Sequence, residues 1–158
     1  MGAGEPTVAF VPPDFEVPRG LVAEGFRLEP LGPQHNDADH DAWHSSIEHI
    51  RATPGFPIGR WPVEGMTLEE NLADLRRHAG DFERRAGFTY TVLEPLEGGG
   101  DRVIGCVYVY PSREASGVAD VRSWVRADRA ALDPVLHDTV AAWLRDTWPF
   151  AEVAYADR

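Results

Sequence analysis

The chain has 158 residues, with 26 acidic against 15 basic side chains and a formal net charge of -11. Its length suits one domain burying roughly 68 to 70% of its unfolded-chain surface, and its charge argues against a nucleic-acid or anionic-membrane partner. The single Cys106 excludes an internal disulfide framework, every basic residue is arginine, and there is neither a leader pattern nor an apolar run near about 18 residues, so a cytoplasmic location is expected.

Residues 1–23 read as an N-terminal arm, rich in Gly, Pro and acidic residues to Pro18, and 24–158 as a single domain. Val8 to Val11 and Phe15 give the arm apolar anchors for the domain or a subunit partner. Phe26 and Leu28 alternate with Arg27 and Glu29, which predicts a first strand over Glu24 to Leu31, closed by Pro30, Gly32 and Pro33. Ala38, Ala42, Trp43, Ile47 and Ile50 predict a helix from Gln34 to Ile50. It carries His35, His40, His44 and His49 among Asp37, Asp39 and Asp41. His40 and His44 share a face, but the spacing is no recognised zinc pattern, so solvation, ion pairing or a polar ligand rim is expected rather than a metal.

The stretch ATPGFPIGRWPVEG reads as a loop in which Phe56 and Trp61 pack over a cavity or the core. Thr67 and Glu70 form a capping box, and Leu68, Leu72, Leu75, Ala79, Phe82 and Ala86 place one apolar stripe on the helix that follows. Strands are expected at Phe88 to Leu93 and Val103 to Tyr110, joined by the glycine-rich EPLEGGGD as an antiparallel hairpin. In the second strand, Val103, Val107 and Val109 oppose Ile104, Cys106 and Tyr108, so both faces are apolar and the strand belongs inside a covered sheet. Cys106 then reads as a packing residue.

Ala119 to Val125 should add the next antiparallel strand. Asp133 is placed to cap a helix with Pro134 at its first position, with Leu136, Val140, Trp143, Leu144 and Thr147 on one face and Pro149 as its stop. A last strand, AEVAY, completes a strand-helix-strand unit of the kind that joins parallel neighbours through a right-handed crossover. The loop Arg126 to Ala131 at the helix start is the natural place for an anion. The expected order is strand, helix, helix, three strands, helix, strand.

FRLEPL, the two helices, FTYTVLEP with RVIGCVYVYP, and ADVRSWV with PVLHDTVAAWL together resemble the GNAT N-acetyltransferase family over approximately Gly25 to Tyr155. The resemblance implies a mixed α/β fold of the acyl-CoA N-acyltransferase type, a central mixed sheet flanked by helices. It implies an acetyl-CoA or other acyl-CoA donor, with Trp124 and Val125 beside the pantetheine and Arg126, Arg129, Ala130 and Ala131 near the phosphates. Two features depart from the family pattern. Where its phosphate loop carries glycine and a small residue, RADRAALDP places Leu132 and Pro134, which obstruct close backbone approach and remove a donor. The sequence also has no counterpart of the family's last helix and final two strands, so Tyr155 does not take the family's tyrosine role by position.

Chemistry in that family is direct attack of an amine on a thioester, which needs orientation, a base and charge stabilisation. Asp120 is the carboxylate on the donor-side strand that can act as base or amine anchor, and it shares a face with Trp124. The expected function is N-acyl transfer from acyl-CoA to a small amine, with weakened CoA binding. The alternative is a noncatalytic ligand-binding or regulatory protein on the same fold. The open edge of the last strand predicts a homodimer or coverage by the arm.

Overall fold

The computed structural model describes residues 9–158, so Val8 of the apolar run lies outside the described residues. Six strands form one sheet in sequential order: β1 (Leu21–Ala23), β2 (Phe26–Pro30), β3 (Phe88–Pro95), β4 (Asp101–Pro111), β5 (Val118–Val125) and β6 (Glu152–Tyr155). All neighbours are antiparallel except β5 and β6, which pair in parallel from Val118 with Glu152 to Val121 with Tyr155. The opening strand thus differs from its expected bounds. Glu24 and Gly25 are a turn, Gly25 at φ 88° supplying the left-handed position, and Leu21–Ala23 folds back as a short edge strand.

The helices are α1 (Asn36–His44), α2 (Ile47–Arg51), α3 (Leu68–Glu83) and α4 (Asp133–Thr147). The expected helix from Gln34 to Ile50 is therefore two. Ser45 and Ser46 interrupt it, Ser46 leaving helical geometry at φ -133°, ψ 22°. Serine side chains compete for nearby backbone groups, and the Ser45 hydroxyl donates to the Ala42 carbonyl at 3.1 Å. The capping box forms as read, Glu70 N to Thr67 Oγ1 at 3.1 Å and Thr67 N to Glu70 Oε1 at 3.0 Å.

Asp133 does not cap α4. Leu132 occupies that position without a side-chain bond, because Ala127–Leu132 coils into a 3-10 segment that runs into the helix. The Asp133 carboxylate instead accepts from Arg158 Nε at 2.6 Å. Leu136, Val140, Trp143 and Leu144 are buried, while Thr147 is exposed in the last turn. Trp148 turns extended before Pro149 and ends the helix.

Two cores flank the sheet. On one face, α4 packs on Phe88, Tyr90, Val92, Val107, Val109, Val121 and Val125, joined by Val11 and Phe10 of the arm. On the other, α1, α2, α3 and Phe56 enclose Leu31, Leu93, Val103, Cys106 and Trp124. The expected alternation in β4 fails at one point. Val92 pairs with Gly105 and Leu93 with Val103, leaving Ile104 bulged between them. The bulge sends Val103 to the side of Cys106, and Ile104 to the side of Val107. Gly105 is required beside it, since a Cβ there would collide with the Trp124 carbonyl.

The arm is bound rather than loose over its described part. Phe10 stacks on Phe88 and Phe150, Arg85 donates to the Pro12 and Phe15 carbonyls, and Tyr90 OH donates to the Pro18 carbonyl at 2.6 Å. It lies on the α4 face, and among the described residues no strand pairs with the outer edge of β6. No described helix is long and apolar enough to cross a membrane.

Candidate functional site

A cavity of about 800 Å³ opens between α1, α3, the loop before α3 and strands β4 and β5. Phe56 and Trp61 both pack and line it, held there with Tyr108 as three rings whose centroids lie 5.8, 6.3 and 6.4 Å apart. The aromatic anchors of the loop are thus its wall. Tyr108 OH accepts from Trp124 Nε1 at 2.9 Å, which fixes the phenol at the cavity floor. Burial pushes that phenol's pKa well up, as it does the neighbouring Cys106 thiol, so neither ionises at neutral pH.

Asp39 reaches this floor from the first turn of α1 and is 4% exposed. Asn71 Nδ2 donates to its Oδ2 at 3.1 Å, while Asn71 Oδ1 accepts from Trp43 Nε1 at 3.1 Å. Desolvation pushes the Asp39 carboxyl up to about 7, the Asn71 bond opposing it and the Asp74 charge adding to it.

A second polar array stands on the α3 side. Tyr110 OH donates to Asp81 Oδ2 at 2.8 Å, so its oxygen is left to accept from His78 Nδ1 at 2.9 Å, with Thr89 Oγ1 3.0 Å from the same nitrogen. This assigns the proton to Nδ1. His78 Nε2 has no protein partner among the described residues, and the ring lines the cavity. Desolvation lowers the His78 pKa to about 4, Arg77 adding to the shift and Asp81 opposing it, so the ring is neutral at pH 7. Gly87 makes room for the array, because any Cβ there would strike the Tyr110 ring.

Asp120 also lines the cavity, opposite Tyr110 in the ladder and 3.2 Å from Arg122. The remaining expected site residues lie elsewhere. Trp124 is fully buried behind Tyr108, and Val125 belongs to the other core. Arg126 pairs with Asp41 and Asp128, each at 3.2 Å. Arg129 grips Glu94 with two bonds at 2.7 and 3.0 Å, which lowers the Glu94 pKa. Ala130 and Ala131 are exposed on the 3-10 segment. The amides expected to be free are partly used there, Ala127 N by Ser46 Oγ at 2.9 Å and Arg129 N by the Arg126 carbonyl at 2.9 Å. On β5, Arg158 binds the Ser123 carbonyl at 2.9 Å, beyond the last β5–β6 pair.

The histidines of α1 act as ties. His40 Nε2 meets the Met66 carbonyl at 2.9 Å, and His44 Nε2 meets that of Glu64 at 3.1 Å, fastening the loop that carries Trp61. Among the described residues, no group of three or more His, Cys, Asp or Glu is arranged to hold a metal.

Asp39, Asn71, His78 and Tyr110 were not singled out from sequence. One signal was present: Asn71, Leu75, His78 and Phe82 recur at spacings of four and three, placing two polar residues on the inward face of α3.

No family model matches the sequence, and no curated protein matches it. Solved structures do. A ribosomal-protein-S5-alanine acetyltransferase from Vibrio fischeri superposes with a TM-score of 0.58 at 10% identity over 80% of this chain and 67% of its own. The microcin C7 self-immunity acetyltransferase MccE, in complex with acetyl-CoA and AMP, gives a TM-score of 0.61 at 11% identity over 82% of this chain and 67% of its own. RimL, a ribosomal alpha-N-protein acetyltransferase in its apo form, gives 0.56 at 12% identity over 79% and 64%. The chain spans about two thirds of the length of these structures. At such identities the likeness establishes the fold, a mixed α/β sheet of the acyl-CoA N-acyltransferase type.

Proposed function

We propose that this protein is an acyl-CoA-dependent N-acyltransferase whose acceptor is a small amine bound in the cavity against β4 and β5. The observation that carries the proposal is the neutral His78, with Nε2 unpartnered and its tautomer set by Tyr110 and Asp81, in the same cavity as Asp120 on a fold of this type. The donor supplies an activated acyl thioester when bound. His78 Nε2 is placed to take the proton from the amine nitrogen as it bonds to the acyl carbon. The carbon–sulfur bond breaks and the sulfur leaves as a thiolate to which that proton can pass, and Asp120 with Arg122 orients the acceptor from the same cavity.

The donor side fits a pyrophosphate in charge but not as a close cradle. Arg126 and Arg129 supply two guanidinium groups, each of which would have to exchange a partly buried ion pair within the chain for the ligand. Leu132 and Pro134 still withhold the close approach and the amide, so acetyl-CoA or another acyl-CoA binds weakly in this reading. A second reading, a noncatalytic ligand-binding or regulatory protein, is favoured by a distinct observation: both arginines and the Ser123 carbonyl already have partners within the chain.

Isothermal titration with CoA and acetyl-CoA, followed by a thiol-release assay across a panel of small amines, separates the two. Amine-dependent thiol release that Arg129→Ala and His78→Ala each diminish supports acyl transfer. Absence of binding at millimolar ligand favours the second reading. The unpaired outer edge of β6 supports a homodimer, which light scattering checks; a monomer at all concentrations removes it.

A further inference from the structure

Asp39 is more than a tie between α1 and α3, since an uncharged side chain could accept the Asn71 bond without bringing a carboxylate into the core. Among the described residues its Oδ1 has no hydrogen-bond donor, although the side chain is almost wholly buried and lines the cavity. Burying a charge without a counter-ion is strongly unfavourable. Among the described residues no arginine pairs with it: of the three that line the cavity, Arg77 leans on Asp74 at 3.5 Å and toward Asp81 at 3.9 Å, Arg122 pairs with Asp120, and Arg113 is exposed on the turn after β4. The same cavity is lined by the rings of Phe56, Trp61 and Tyr108, whose negative π-faces attract cations.

We propose that the deep end of the cavity recognises an organic ammonium ion, its N–H groups bonded to Asp39 and its hydrocarbon body laid against Phe56, Trp61 and Tyr108. The proposal deepens the amine-acceptor reading by naming the substrate class, and rests on that reading for catalytic meaning but not for binding. The class is a small aryl-alkyl or alkyl amine entering in its charged form. An anion or a strongly hydrated neutral polyol meets a carboxylate and apolar rings there, and gains nothing from either.

The test is direct binding to the full chain without any CoA, so that failure of acyl transfer leaves it readable. Isothermal titration and tryptophan fluorescence are run with 2-phenylethylamine, 2-phenylethanol and phenylacetate, at a pH where the Asp39 carboxyl is ionised and the amine is protonated. The ammonium should bind about tenfold or more tighter than the alcohol, with phenylacetate weakest. Asp39→Asn should bring amine and alcohol to equal affinity. Trp61→Leu, checked for an unchanged fold by circular dichroism, should weaken the amine severalfold. Equal affinities for amine and alcohol in the wild type, preference for phenylacetate, discrimination surviving in Asp39→Asn, or no binding of the amine at millimolar concentration each overturns the proposal.

Discussion

The two ends of β5 treat charge in opposite ways. At the Asp120 end the strand borders a cavity holding a buried carboxylate with one free oxygen and a neutral imidazole with one free nitrogen. At the Val125 end, Arg126, Arg129 and Arg158 all have carboxylate partners within the chain. The first end retains polar groups at a cost to stability, which is how sites that await a ligand differ from sites that fold for themselves. The second pairs its charges within the chain, partly out of water, as Arg158 does with Asp133. In the proposed reading, the Asp120 end is the acceptor side and the better developed of the two.

Removing the partition between the ends should have the largest effect. Trp124→Ala takes out a fully buried ring and the donor to Tyr108, and should cost about 3 to 5 kcal/mol in urea unfolding. A loss below about 1 kcal/mol would mean that the two ends are not separated by a packed core.

Asp39 and His78 come next, and their signs oppose. Asp39 has a folded pKa raised to about 7 from 3.8, so the folded state holds the extra proton between them and stability falls as pH rises through that window, by an upper limit of about 4 kcal/mol. His78 has a folded pKa lowered to about 4 from 6.5, so the unfolded state holds the extra proton and stability rises with pH over that window, by up to about 3 kcal/mol. The wild type should therefore show a shallow pH profile between the two. Asp39→Asn should tilt it upward with pH and raise the melting temperature most on the alkaline side; His78→Gln should tilt it downward. Melting curves across that range check both, and parallel profiles for all three proteins would remove the contrast.

A smaller effect concerns the donor end. Arg129→Ala should weaken CoA by about tenfold, the loss of one charge-assisted contact. Unchanged CoA affinity by titration would detach the arginine from the ligand.

Much of the architecture was legible because it rests on local rules. The Thr67 to Glu70 box, the stop at Pro149 and the antiparallel hairpin each depend on residues within a few positions of one another. Of the cavity's lining, the sequence pointed to Asp120, Phe56 and Trp61. Asp39 could not be told from Asp37 and Asp41 on the same acidic helix, because nothing in their spacing says which one is buried.

The sequence by itself determined the layered α/β class, the order of the principal elements and the face of α4 that packs, since periodicity and capping are properties of contiguous residues. Tertiary structure alone decided the bulge at Ile104, the capture of Asp133 by Arg158, and the gathering of Asp39, Phe56 and Tyr108 around one cavity. These last depend on how strands far apart in the chain register and on which charge finds which partner. Burial then sets the protonation of Asp39 and His78, and burial is a property of the assembled fold rather than of any stretch within it.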